Sequence, residues 1–369
     1  VDDEGKEMLT EPKIKIHPEY NRFQKFKILA HSDRIREIVE GMIPDPVEWV
    51  IYPSNVCGYA CGHCIMAKEQ QDHRKMLSKE AMKKIPIDAT LHDIKTVIFS
   101  GGGDPLLNPY TIETARQCKE RKILTGINNQ GYLLDDPTPF NFVRYSVDAA
   151  TAETYQKIHN VPKGDGWERV NDNIKRHANL RKNGFDIEMG LAFLITPLNW
   201  HETAEFCEWA QQYEPDFIHI RPAYLDADYL DKKYPGGGIK IKDEIVPNLR
   251  ELSKKLHEKY DNVFFKINTF EGYWTPKLYD KCRSNSLLAV TSGDGAFLIC
   301  QDRGIRSEEN YLRWGNYNIQ DFDDIWGTRE HKKVIDSIDL QNCPRCVENG
   351  MNEIIQYGFI EDRMKMDLI

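Results

Sequence analysis

The stretch EWVIYPSNVCGYACGHC, residues 48–64, runs a short apolar strand straight into three cysteines, Cys57, Cys61 and Cys64. Working outward, the same kind of strand recurs as TVIFS (96–100), ILTGI (123–127), FVRYSV (142–147), IEMGLAFLI (187–195) and FIHIR (217–221). Helical patterns lie between these strands, and such alternation is the signature of βα units. Six of them predict an α/β chain built as a partial (β/α)6 TIM-like barrel. In barrels of this kind chemistry collects at the C-terminal ends of the strands. The three-cysteine loop follows the first strand, so it is expected on that face.

The helices read as follows. Asn108-Pro109 offers a capping residue and a first-turn proline before YTIETARQCKE. From Trp167 to Lys182 the apolar residues Trp167, Val170 and Ile174 share a face, and Gly184 is placed to end the helix. HETAEFCEWAQQY (201–213) and IVPNLRELSKKLHEKY (245–260) complete the set. Residues 1–46 read as a polar extension and 47–269 as the barrel. Residues 270–369, which lose the βα rhythm and hold four cysteines, are expected to form a second, smaller domain.

With 369 residues, 40% hydrophobic and 29% charged, the composition is that of an ordinary soluble globular protein. Apolar runs such as LAFLIT (191–196) fall far short of the roughly 20 residues a membrane span needs. The opening residues, VDDEGKEMLTEPKIKIHPEY, contain no apolar h-region, so no secretory signal is expected. A formal net charge of −9 argues against nucleic acid and anionic membranes as partners. Nine cysteines, an odd and clustered set, favour a reducing compartment and metal sites over disulfides, which makes the cytoplasm the expected location.

Thiolates at C-x3-C-x2-C spacing can hold three irons of a [4Fe–4S] cluster and leave the fourth iron open. A structural zinc ion with His63 or a remote cysteine as its fourth ligand fits the same spacing. The second strand ends in GGGDP, residues 101–105, a glycine run that exposes backbone groups and lets a ligand approach closely.

Together, Cys57-x3-Cys61-x2-Cys64 and Gly101-Gly102-Gly103-Asp104-Pro105 resemble the radical S-adenosylmethionine (radical SAM) superfamily. The resemblance implies a cluster whose open iron binds the amino and carboxylate groups of SAM and cleaves it reductively to a 5′-deoxyadenosyl radical. That radical takes a hydrogen atom from a C–H bond of the substrate. The resemblance gives Cys57, Cys61 and Cys64 as iron ligands, with Gly102, Gly103 and Asp104 at the SAM amino group. Asp104 stands where the family often has Glu. His63 takes the position near adenine that is usually aromatic. Ser146 and Asp148, in RYSVDAA, match the segment that contacts the SAM ribose or carboxylate, and Asn128 and Asn129, in GINNQG, stand where many members read T-N-G.

Cys282, Cys300, Cys343 and Cys346 can ligate one further [4Fe–4S] cluster, or equally a zinc ion. Their order, with TSGDGAFLIC as a hairpin delivering Cys300, resembles the twitch domain, the short relative of SPASM domains, and implies one auxiliary cluster. A second cluster suggests an electron acceptor and hence net oxidation. Arg221, ending the sixth strand, is a candidate substrate or SAM contact, and Asp302 a candidate base. Spare Cys118 and Cys207 lie on helices beside apolar residues, where inert burial is expected. A small polar substrate (a sugar, aminocyclitol or nucleotide) is the leading expectation, with peptide modification or epimerisation as alternatives. A zinc-stapled binding module is the different-class rival. Lys68, Arg74 and Lys75 offer basic residues to an acidic flavodoxin or ferredoxin electron donor.

Overall fold

The computed structural model describes residues 25–161, 164–223, 241, 243–267, 277–301, 312–341, 343 and 346–361. All six expected strands form: β1 (Glu48–Ile51), β2 (Thr96–Phe99), β3 (Leu124–Asn129), β4 (Phe142–Ser146), β5 (Glu188–Ile195) and β6 (Phe217–Pro222). Each is parallel to the next. A short seventh strand, β7 (Val263–Phe265), extends the parallel series beyond the expected six. The protein is thus an α/β partial barrel.

On the other side of β1 the chain returns unexpectedly. β8 (Leu288–Thr291) pairs with β1 in parallel, and β9 (Phe297–Leu298) and β10 (Arg313–Trp314) continue the sheet antiparallel. The hairpin expected at TSGDGAFLIC is therefore β8–β9, turned through Gly295 at φ +96°. The expected domain boundary near 270 falls outside the described residues, and beyond it the chain rejoins the sheet of the barrel. The join is apolar. Trp49 is fully buried, its ring 5.2 Å from Tyr317 and 4.9 Å from Phe322. Its indole N–H donates to Thr291 Oγ1 at 2.8 Å, so the polar edge is satisfied as well.

The helices cover one face of the sheet. α1 (Ser32–Val39) lies in the N-terminal extension, anchored by buried Arg34, whose guanidinium donates to Asp45 O and Pro46 O at 3.0 and 2.6 Å. α2 (Ala67–Asp72) follows the cysteine loop, and α3 (Lys79–Leu91), capped by Ser78, carries Pro86 inside it. α4 (Thr111–Glu120) starts later than expected. Asn108 does not cap it but is buried, donating from Nδ2 to Pro53 O and Leu77 O at 2.9 and 3.0 Å. α5 (Ala152–His159) and α6 (Gly166–Lys182) follow. Val170 and Ile174 of α6 are fully buried, and the chain turns out at Gly184 with φ +87°. α7 (Thr203–Gln211) and α8 (Val246–Lys259) match the expected segments closely. Cys118 and Cys207 are buried, and burial pushes both thiols up to about 12, the inert state expected of them. Among the described residues no helix is long and apolar enough to cross a membrane.

Beyond β10, α9 (Arg329–Asp336) buries His331 against Trp314, stacked at 4.4 Å and 17°. Its Nδ1 accepts from the Gly327 N–H at 3.2 Å, and burial lowers its pKa to about 3. An unfolded histidine titrates near 6.5, so below that pH the unfolded chain takes up a proton that the folded one refuses. Stability contributed here is complete at neutral pH and falls as pH drops from about 6.5 towards 3, by an amount of order 2–4 kcal/mol. Urea unfolding at pH 7, 6, 5 and 4.5 should show this decline, and His331→Phe should flatten it. An unchanged slope in the variant would locate the acid sensitivity elsewhere.

Candidate active site

The cysteine loop leaves the C-terminal end of β1 and is held by the ends of its neighbours. Gly103 N–H donates to Ser54 O and Asp104 N–H to Val56 O, both at 2.8 Å, so the glycine run lies directly along the chain entering Cys57. A Cβ on Gly103 would stand 2.1 Å from Val56 O, and one on Gly102 2.0 Å from Asn55 Oδ1. The glycines are thus required for two backbones to touch. Asn55 in turn donates to Ser292 Oγ at 2.9 Å and accepts from Gly293 N at 3.2 Å, so the β8 turn braces the loop from its other side.

The three thiols lie within electrostatic reach of one another. Burial pushes Cys57 up to about 11, with Asp104 and Cys64 adding to the rise. Cys61 is pushed further, by burial first and then by Cys64 and Cys57. Thiols whose ionisation is opposed in this way need a nearby cation before they can ionise together, and an iron cluster, if bound, would supply that charge. Each sulfur also has a neighbour. Cys57 Sγ accepts from Tyr59 N at 3.4 Å, and Gln70 Nε2 reaches Cys64 Sγ at 3.6 Å while donating to Gly102 O at 2.8 Å. Cys61 Sγ lies 3.2 Å from His159 Nδ1, whose Nε2 meets Val147 O at 2.8 Å. Gln70 and His159 escaped the sequence reading. They come from the short helix α2 and the end of α5, and only the fold brings them here.

His63 is buried, with Nε2 3.5 Å from Asp148 Oδ2. Asp148 sits two residues past β4 at φ +58°, a conformation that short polar side chains tolerate. Burial opposes its ionisation, but the His63 and His159 imidazoles and the Leu194 N–H prevail and hold its pKa below the usual value. Asp104 is buried too. Its Oδ1 caps Leu106 N at 2.9 Å, its Oδ2 accepts from Gln130 Nε2 at 2.7 Å, and burial raises its pKa. Asn129 Oδ1 accepts from Gly131 N at 2.8 Å. The buried Asn129 Nδ2 and Asn128 Oδ1 have no hydrogen-bond partner among the described residues, which leaves polar capacity at the end of β3. Ser146 ends β4, half-buried on the sheet face opposite Tyr145.

A [4Fe–4S] cluster with SAM fits these residues: three thiols within electrostatic reach of one another, a glycine run packed directly on their loop, and spare buried amide groups. Arg221 lies in β6 on the same sheet face as Ser146, whereas Asp302 lies outside the described residues.

A second thiol group forms in the C-terminal segment. Cys282 and Cys346, raised by burial to about 11 and 12, each feel Cys343, and Cys346 also feels Cys282. Tyr279, absent from the sequence reading, stands among them and hydrogen-bonds Cys346. Cys300 follows β9 and is half-buried.

Fold and site together place a three-cysteine loop at the C-terminal edge of a partial barrel. The family model Radical SAM superfamily matches residues 51–210. Residues 51–210 thus carry the match to a radical SAM domain. The chain is 21% identical over 294 residues to the tungsten-containing aldehyde ferredoxin oxidoreductase cofactor-modifying protein of Pyrococcus furiosus, covering 74% of this chain and 79% of that one. In fold it is similar to Streptococcus suis SuiB bound to the precursor peptide SuiA, with TM-score 0.62, 17% identity and coverage of 88% of this chain and 75% of that one. It is also similar to anSMEcpe with bound AdoMet, with TM-score 0.54, 16% identity and coverage of 84% and 89%.

Proposed function

We propose that the protein is a radical SAM oxidoreductase of a small polar substrate, such as a sugar, aminocyclitol or nucleotide, working in the cytoplasm with a second, auxiliary [4Fe–4S] cluster. The packing of the glycine run along the loop of Cys57, Cys61 and Cys64, three thiols within electrostatic reach of one another, supports this reading. When bound there, the reduced cluster and SAM would supply a 5′-deoxyadenosyl radical for hydrogen abstraction. The chain's own residues hold and shield that chemistry. Cys57, Cys61 and Cys64 would ligate iron. Gly102, Gly103 and Asp104 would face the SAM amino group, with His63, Asn129, Ser146 and Asp148 around the nucleoside and carboxylate.

Cys282, Cys300, Cys343 and Cys346 would hold the auxiliary cluster and accept the substrate electron. Epimerisation needs a hydrogen donor, and Cys118 and Cys207 are too deeply buried in the helical layer to serve. Exposed Arg74 and Lys75 offer a flavodoxin or ferredoxin a basic landing place, while the Lys68 side chain lies outside the described residues. Peptide modification is the second reading, favoured by the peptide bound to SuiB in a structure of like fold.

Cys343→Ala should leave SAM cleavage measurable while abolishing oxidised product, assayed anaerobically as 5′-deoxyadenosine against product. Oxidation at the parental rate would remove the acceptor role. Transfer of deuterium from labelled candidate sugars or peptides into 5′-deoxyadenosine decides between the two substrate classes.

A further inference from the structure

An ammonium group only donates hydrogen bonds, so the glycine run can receive one through its carbonyls and Asp104 through its carboxylate. Two of these acceptors are engaged by glutamine amides. Gln70 Nε2 donates to Gly102 O at 2.8 Å, and Gln130 Nε2 donates to Asp104 Oδ2 at 2.7 Å. The amides come from separate elements, Gln70 from α2 and Gln130 from the residue after β3, so only the fold brings them to neighbouring acceptors. Each oxygen has a second lone pair, and the bond already made fixes the direction in which that pair points.

Gln70 reaches further. An amide nitrogen carries two hydrogens, and the second neighbour of this one is Cys64 Sγ at 3.6 Å. The cysteine loop feeds directly into α2. Ala67 N–H donates to Cys64 O at 3.3 Å and Gln70 N–H to Met66 O at 2.9 Å, so the short helix returns its side chain to the loop it has just left. One side chain thus spans the glycine run and a cysteine of the trio.

We propose that Gln70 is a positioning residue that couples the SAM amino-group acceptors to the cluster. One of its N–H bonds orients the Gly102 carbonyl and the other reaches the Cys64 sulfur, while Gln130 orients Asp104. The inference rests on the radical SAM reading and adds to it two residues outside the cysteine and glycine motifs. A donor at a ligating sulfur stabilises the extra negative charge of a reduced cluster, and hydrogen bonds to the sulfurs are among the levers that set a cluster's potential. Losing that N–H therefore lowers the potential. Losing the bond to Gly102 O lets the carbonyl turn and weakens SAM binding.

Gln70→Met separates these roles from packing, because methionine has a similar unbranched chain and no N–H to donate. Two quantities are measured on the anaerobically reconstituted holoenzyme. SAM affinity is read by equilibrium dialysis, and the midpoint potential of the SAM-responsive cluster, before SAM is added, by dye-mediated titration followed by electron paramagnetic resonance. Gln70→Met should bind SAM about three- to tenfold more weakly, as expected for one lost hydrogen bond, and its cluster should titrate at a lower potential than the parent's. Gln130→Met should weaken SAM binding to a similar degree. The proposal is overturned if either variant binds SAM like the parent, or if the potential of Gln70→Met is unchanged. Gln70→Ala should show the same two shifts and stands in if the methionine variant fails to fold. A parent protein with no SAM-responsive cluster signal would sink the radical SAM reading itself, an outcome distinct from a responsive cluster that ignores Gln70.

Discussion

Cys57→Ala should lower reductive cleavage of SAM by at least about 10³-fold, since losing even an outer partner of a metal ligand commonly costs 10–100-fold. Neither spare thiol can take its place, because Cys118 and Cys207 are locked in the helical layer. The lost side chain lies half-buried in a loop, so the fold should survive, and circular dichroism of the variant should match the parent. 5′-Deoxyadenosine formed with dithionite under anaerobic conditions is the readout. Cleavage within tenfold of the parent would mean that Cys57 is not a ligand. The same loss is expected for Cys61 and Cys64, whereas a replaceable zinc ligand would leave the protein colourless from the outset.

Gly103→Ala should be nearly as damaging, and by a different route. The new methyl would lie 2.1 Å from Val56 O, 2.3 Å from its carbon and 2.7 Å from its nitrogen, all backbone atoms that no rotamer change can move. Overpacking of this kind costs about 1–3 kcal/mol or more. Relief requires Val56 to shift, and Val56 directly precedes Cys57. Iron incorporation should therefore fall several-fold along with the melting temperature. Gly62→Ala is the control, because a Cβ there meets nothing within 4 Å, and its melting temperature should stay within a degree or so of the parent. Equal iron content in Gly103→Ala and the parent would show that the glycine run does not brace the loop.

The barrel strands were legible because each is a compact apolar run, and the longer helices because α6 and α8 carry period-3.6 faces with clear stops. β7 escaped, since three residues, Val263–Phe265, are too few to show a period. The pairing of β8 with β1 escaped for another reason: Glu48 and Leu288 are far apart in sequence, and nothing local encodes their adjacency. The centre divides likewise. The cysteines and glycines announce themselves by spacing, whereas Gln70, Gln130 and His159 are ordinary helix and loop residues until tertiary contacts set them beside Cys64, Asp104 and Cys61. Asp104 and Asp148 were named as cofactor contacts from motif position. The fold adds that both are buried and already hydrogen-bonded, so each has a bracing role whatever ligand arrives. Arg221 was read alone, and strand register sets it on the same sheet face as Ser146 and His219.

The most direct test is electron paramagnetic resonance of the anaerobically reconstituted, dithionite-reduced protein before and after adding SAM. An iron left open by the trio of cysteines should take SAM as a ligand and change the g values of the cluster signal, with a Cys57→Ala, Cys61→Ala, Cys64→Ala triple variant losing that responsive signal. A protein that binds zinc without sulfide, or a cluster signal indifferent to SAM, would contradict the account.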